Sequence, residues 1–333
     1  LFLLIPLFFY KSLKLIYPKV DKYYLKIFSL ILILFPTFRS YSIWPDPHLF
    51  GILLFIISIY FFLKFKYQKQ NQFVNSLLNI FFLALASYSS LNFALLAGYF
   101  FYEYCLKFKL SFKILIIIII NIILSTPFFY YILILDINFV FRVHDNYGWN
   151  IGQDFYSLNN LSNKFIILLS ITFFYLFPIF LSGKLNFKKY VKLLNKKLYL
   201  LLYILIFVMT VYFFDFEKVY NLTNSGGGFI YNLSQFIFKN NLLLYFLSFI
   251  TFIILIIFFN NDKKNLIIFL LLFLSNPQIT IWQANFSPTV FLIIFLMLNI
   301  GIESKHFDRK FILINYGYFL TYLIANLFKN IFL

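Results

Sequence analysis

Arg39, Asp46 and His48 fall within one short stretch, residues 34–49, between two long apolar runs. A guanidinium, a carboxylate and an imidazole that close together can hold a phosphate and move a proton. The plain alternative is an interfacial turn stiffened by Pro45 and Pro47, with Arg39 reaching to lipid headgroups. Arg39 lies inside the apolar run, where a charge is costly and tends to serve function.

A second polar stretch, residues 141–154, carries Arg142, His144, Asp145 and Asp154 among Asn146, Tyr147, Trp149, Asn150 and Gln153. Mixtures of this kind bind sugars, aromatic faces packing on C–H surfaces while amides and carboxylates satisfy hydroxyls. A solvated loop is the alternative. His144 and Asp145 are adjacent with no third ligand at a diagnostic spacing, so a divalent metal has no recognisable ligand set here. A third segment, residues 275–285, breaks two apolar runs with amides and an indole, including Gln278 and Trp282. Irregular backbone at membrane depth must face protein or water, so this segment either lines a cavity or is an external turn. The glycine run Gly226–Gly228 lacks the Lys-Ser/Thr ending of a phosphate-binding loop and reads as a flexible external loop.

These groups need elements to position them, and composition says what kind. Hydrophobic residues make up 62% of the 333 positions, 12% are charged and mean hydropathy is +0.88. Soluble domains hold roughly 45–50% apolar residues, so the expectation is an integral membrane protein. The runs lack the alternation of an outer-membrane strand, which makes the spans helices and the fold class all-α, a polytopic transmembrane bundle. Apolar windows fall at about 1–10, 25–44, 49–66, 74–89, 91–106, 112–135, 165–183, 198–214, 241–260, 265–275, 286–301 and 311–328, or about twelve helices, several of them short. The run at 1–10 is too short to cross about 30 Å of hydrocarbon at 1.5 Å per residue. The expectation is therefore a fragment truncated at its N-terminus, organised as a single multi-pass domain over 1–333.

Charge assigns the sides. All but six of the 28 Lys and Arg residues lie in loops at about 11–24, 64–73, 107–113, 184–197, 261–265 and 302–310 or at their edges. The six are Arg39, Arg142, Lys164, Lys218, Lys239 and Lys329. By the positive-inside rule the basic loops are cytoplasmic, and the segments near 136–164, 215–240 and 276–285 are external. The external side then carries Asp46, Asp136, Asp145, Asp154, Asp215 and Glu217, together with His48, His144 and all three tryptophans. Indoles favour membrane interfaces as anchors, so the tryptophans carry little functional weight. The net charge of +17 flanks spans rather than striping a soluble domain, which argues against a nucleic-acid partner. One cysteine, Cys105, excludes a disulfide framework. Ionisable residues within the spans are scarce, which argues against a proton-coupled transporter, and no nucleotide motif is present.

The element order from Phe28 to Asn92 resembles a known family. An apolar helix ends in Pro36-Thr-Phe-Arg-Ser-Tyr41, a short outer turn holds Asp46, and a long helix runs from Leu49 to Lys64. A basic turn then leads to Leu77–Asn92, with small and hydroxyl residues at its outer junction. This order resembles polytopic GT-C glycosyltransferases of the dolichyl-phosphate-mannose protein mannosyltransferase type. The resemblance spans about residues 1–135, with a weaker likeness at Asn276-Pro-Gln278. It implies transfer of a sugar from a polyprenyl-phosphate donor to a glycan, lipid or protein acceptor on the external face of the cell (inner) membrane. It also implies an Asp in the first external loop as general base, a position expected before Leu1. Arg39, Asp46 and His48 would then support the carrier phosphate. The mechanism implied is inverting transfer, independent of metal or weakly assisted by it. A lipid-linked polysaccharide polymerase or ligase, a lipid or sugar transporter, and a structural membrane protein are the competing readings.

Overall fold

The computed structural model describes residues 2–43, 47–109, 111–133, 157–183, 197–216, 226–275, 281 and 283–332. Within them the regular structure is helical: α1 (Leu4–Ile16), α2 (Lys22–Ser29), α3 (Pro36–Ile43), α4 (Pro47–Tyr67), α5 (Gln72–Ser89), α6 (Ala97–Phe108), α7 (Phe112–Leu133) and α8 (Leu158–Leu181). After these come α9 (Lys197–Tyr212), α10 (Gly228–Phe238), α11 (Leu242–Asn261), α12 (Lys263–Leu274), α13 (Gln283–Phe286), α14 (Thr289–Leu296) and α15 (Arg309–Phe332). Among the described residues, six helices are long and apolar enough to cross a membrane: α4, α5, α7, α8, α11 and α15. The helical character expected from composition is therefore what the described residues show, with six helices suited to crossing a membrane where about twelve were expected.

Several expected spans are subdivided. The window at 25–44 is α2, a 3₁₀ stretch over Leu30–Leu34, and α3. The break falls at Phe35, whose ψ of 120° is extended. Pro36 forces this, because its ring disfavours helical geometry in the preceding residue while itself suiting the first helical position. The window at 91–106 likewise opens as a 3₁₀ stretch, Leu91–Leu96, before α6. The window at 286–301 contracts to α14, Thr289–Leu296.

Packing divides the chain into two compact units, residues 1–137 with 295–297 and 302–333, and residues 138–294 with 298–301. In the first unit α4 and α5 form an antiparallel hairpin. Gly51 lets them touch, since a Cβ there would lie 3.0 Å from Ser89 Cβ. Deeper in, Asn79 Nδ2 donates to Ser58 O and Oγ at 2.9 and 2.8 Å, and Tyr104 OH donates to Asn79 Oδ1 at 2.6 Å. These buried amide and hydroxyl groups satisfy one another between α4, α5 and α6, as hydrocarbon requires. α6 runs parallel to α4, with Phe62 against Phe100 at 4.7 Å and Phe65 against Tyr104 at 4.8 Å. α15 runs parallel to α2 and the 3₁₀ stretch after it: Phe28 meets Phe311 at 5.5 Å and Phe35 meets Phe319 at 4.6 Å, while Tyr316 OH donates to Ile27 O at 2.6 Å.

These directions gather the helix ends. α1 turns back into α2, with Phe9 against Phe28, so the turn at 17–21 lies beside the start of α15, where Tyr17 packs on Phe307 at 4.6 Å. The α4–α5 turn meets the α6–α7 turn through Phe65, Phe73 and Phe108. α1 packs on α4, where Phe8 meets Tyr60 at 5.7 Å, which links the two pairs of turns. All four turns therefore sit at one end of the unit. On its flank α7 exposes Ile118, Ile119, Ile122 and Ile123, the apolar surface expected of a helix facing lipid.

In the second unit α8 is central, with Ile166–Leu169 fully buried. Ser248 Oγ on α11 donates to Ile166 O at 3.0 Å, and Phe165 is boxed by Phe252, Phe269 and Phe273.

Candidate functional site

Among the sequence candidates, Arg39 and His48 lie in the described residues. Arg39 is exposed in α3, its carbonyl accepting from Ser42 Oγ at 2.6 Å. His48 is half-buried in the first turn of α4. Asp46, Arg142, His144, Asp145, Asp154, Gln278 and Trp282 lie outside the described residues. Among the described residues no group of three or more His, Cys, Asp or Glu side chains is placed to hold a metal ion.

The best-built polar arrangement lies in the second unit, at the start of α8, and it begins with two consecutive residues. Ser157 caps the helix by accepting from Asn160 N at 3.3 Å. Nearly two turns later Asn163 and Lys164 point into protein, 5% and 1% exposed. Asn163 grips residue 215 from both sides: its Nδ2 donates to Asp215 O and its Oδ1 accepts from Asp215 N, each at 2.9 Å. The Asp215 side chain itself is exposed. The backbone that carries this exposed carboxylate is thus fixed by a reciprocal pair of hydrogen bonds.

Lys164 Nζ donates to Ser275 O and lies 5.8 Å from the centre of the Phe273 ring. That carbonyl follows the last turn of α12, where unsatisfied carbonyls collect partial negative charge. The ammonium thus meets a dipole end and an aromatic face, the kind of surroundings a buried cation needs.

The other edge of the same arrangement is the glycine run. Gly226, Gly227 and Gly228 have φ of 116°, 73° and 80°. Gly227 N donates to Ile281 O at 2.8 Å, and Phe229 N donates to Gln283 Oε1 at 2.6 Å. Asn232 Nδ2 returns to Gly226 O and Gly228 O at 3.1 and 2.8 Å. The run expected as a flexible loop is, over these residues, a tied turn that starts α10, and much of the segment expected as external loop at 215–240 is helix. The left-handed backbone that glycine permits allows the amides to turn toward 281 and 283.

The chain between Ser275 and Gln283 is consequently held at both ends, by Lys164 and by the glycine turn, while Asp215 is held by Asn163. Sequence reading gave Gln278 and Trp282 weight in that segment but passed over Asn163, Lys164 and Gln283. A signal was present for Lys164: it is a charge adjoining an apolar run, the argument applied to Arg39. Nothing local marked Asn163, whose partner is 52 residues away. Compared with known proteins, the chain matches no family model, no curated protein and no solved structure.

Proposed function

We propose that the chain is a membrane glycosyltransferase that moves a sugar from a polyprenyl-phosphate donor to an acceptor hydroxyl on the external face of the cell (inner) membrane. The observation that carries this reading is Asp215, an exposed carboxylate on the side expected to be external, with its backbone clasped by Asn163. The element order of residues 28–92 supports the transferase class by resemblance; the assignment of the base to Asp215 rests on the geometry around Asn163 alone, since that resemblance expects the base before Leu1. In this reading the basic loops are cytoplasmic, and the shorter apolar segments complete about twelve crossings.

Asp215 takes the proton of the acceptor hydroxyl as that oxygen attacks the anomeric carbon. The bond from that carbon to the carrier phosphate breaks, and the phosphate leaves with its electron pair. Cations near the external surface oppose the charge that develops on the leaving group; Arg142, from the same stretch of chain as the unit that holds Asp215, is the candidate. The bilayer delivers the donor along the plane in which its polyprenyl chain dissolves.

The test is transfer from a polyprenyl-phosphate-sugar to acceptor in vesicles carrying the chain. Asp215→Asn lowers turnover by on the order of 100-fold, the low end of general-base contributions, while the protein remains folded in detergent. Undiminished transfer by the Asn variant would remove Asp215 from the reaction. Absence of transfer by the unaltered chain, across hexosyl and pentosyl donors, would remove the enzyme reading itself.

A further inference from the structure

The end of the first unit at which four turns converge is strongly basic. Lys19, Lys22, Lys69, Lys109, Lys113 and Lys310 are all exposed there, one or more from each turn. Among the described residues four acidic side chains lie at or near this end, each engaged: Asp21 caps α2 through Tyr23 N at 2.9 Å, Asp308 caps α15 through Phe311 N at 2.8 Å, Glu303 pairs with Lys305 at 2.7 Å, and Glu103 is buried and accepts from Tyr99 OH at 3.2 Å. The sequence shows these lysines as four separate clusters; the packing of α2 with α15 and of α4 with α5 and α6 makes them one surface.

The cations do not stand apart from the lipid-facing apolar surface. In the α6–α7 turn, Lys107, Lys109 and Lys113 alternate with Leu106, Phe112 and Leu115, which are 53%, 74% and 52% exposed. Lys113 Nζ lies 5.5 Å from the Phe108 ring, and at the α1 end Lys11 Nζ lies 4.9 Å from the Phe8 ring. Long cationic stems lying along aromatic surface place their charges at the level where apolar surface meets water. A partner for such a surface needs an anionic group and an acyl chain side by side.

We propose that this end of the first unit binds anionic phospholipid headgroups, with the α6–α7 turn as a principal seat. The phosphate sits against Lys107, Lys109 and Lys113, and the acyl chains lie along Leu106, Phe112 and Leu115. Charge complementarity favours this occupant over a zwitterionic lipid. The adjoining apolar side chains favour it over a free phosphate or a soluble polyanion. The inference does not depend on the enzymatic reading, and its test measures no transfer.

The full chain, purified in a neutral detergent, is titrated with phosphatidylglycerol, phosphatidylcholine or inorganic phosphate, and its thermal unfolding midpoint is followed. Lipids retained by the protein are identified by mass spectrometry. Phosphatidylglycerol is expected to raise the midpoint and be retained, with the gain shrinking as salt rises from 0.05 to about 0.5 M because these exposed charges are screened. The triple variant Lys107→Gln, Lys109→Gln, Lys113→Gln loses at least about half of that gain, whereas Lys305→Gln, whose charge is already paired, retains it. An equal rise with phosphatidylcholine, or the full rise with inorganic phosphate, would overturn the proposal. So would an undiminished phosphatidylglycerol effect in the triple variant. If that variant does not fold, the salt dependence and lipid selectivity of the unaltered chain decide.

Discussion

At the scale of single residues, Lys164 shows how a charge is accommodated where apolar side chains surround it. Its Nζ is bound to a helix-terminal carbonyl and lies over an aromatic ring, and its stem packs as a hydrocarbon would. Two contributions can be separated by substitution. Lys164→Met retains most of the stem and removes the donor; Lys164→Ala removes both. The donor is worth about 1–2 kcal/mol, between the usual value for a charged hydrogen bond and the smaller values found between membrane helices. The stem adds roughly 2 kcal/mol through lost burial and the resulting cavity. The expected order of unfolding midpoints is therefore unaltered chain, Met, Ala. A Met variant as stable as the unaltered chain would mean that the ammonium contributes nothing net, as replacement of buried ions sometimes shows.

At the scale of elements, the fold was legible where a long apolar run has no internal interruption. α4, α8 and α11 follow directly from windows near 49–66, 165–183 and 241–260, because about 20 apolar residues suffice to cross hydrocarbon. What could not be read was the consequence of contacts distant in sequence. Lys164 and Ser275 are 111 residues apart, and no periodicity announces such a pair. The glycine run was visible as composition, but its conformation was not, since it depends on Ile281 and Gln283 accepting its amides. Pro36 was equally visible, yet the apolar residues on either side concealed that it ends one helical segment and starts another.

The glycine turn makes an element-scale prediction. A Cβ at Gly227 would lie 2.2 Å from Tyr231 Cδ1, on a backbone with φ of 73°. Left-handed backbone costs a residue with a side chain roughly 1–2 kcal/mol, and the clash adds to it because Tyr231 is packed edge-on against Phe216 at 5.1 Å. Gly227→Ala is therefore expected to lower the unfolding midpoint and speed proteolysis near residues 226–232. At Gly51 the same substitution meets Ser89 Cβ at 3.0 Å without backbone strain. Gly51→Ala should consequently be milder, and Gly51→Leu should separate α4 from α5. Equal effects of alanine at the two positions would show that the left-handed turn has no special weight.

At the scale of the whole molecule, the distribution of charge makes a claim about sides that packing alone does not. In the first unit the helix directions bring the turns near 17–22, 67–72, 108–113 and 303–310 to one end, and that end is where its lysines are. Moving so many cations across a membrane is opposed by the cost of each charge in hydrocarbon, on the order of 2.5–3.5 kcal/mol even on the mildest scale. The basic end is therefore expected to remain on the cytoplasmic side, and the opposite end, with Arg39 and Ser90, to be external. Cys105 is the chain's one cysteine, so Cys105→Ser gives a background for single probes. Cysteines introduced at Lys69, Lys109 and Lys305 should be inert to an impermeant maleimide added to intact cells and react once the membrane is opened. Cysteines at Ser40 and Ser90 should react before opening. In the second unit Lys239, just beyond α10, should behave like Ser90, because Asp215 can act on an external acceptor only if this part of the chain is exposed there. Labelling of Lys69 and Ser90 from the same side would contradict the antiparallel α4–α5 hairpin as a membrane element. Protection of Lys239 in intact cells would leave the fold intact but place Asp215 away from any acceptor outside the cell.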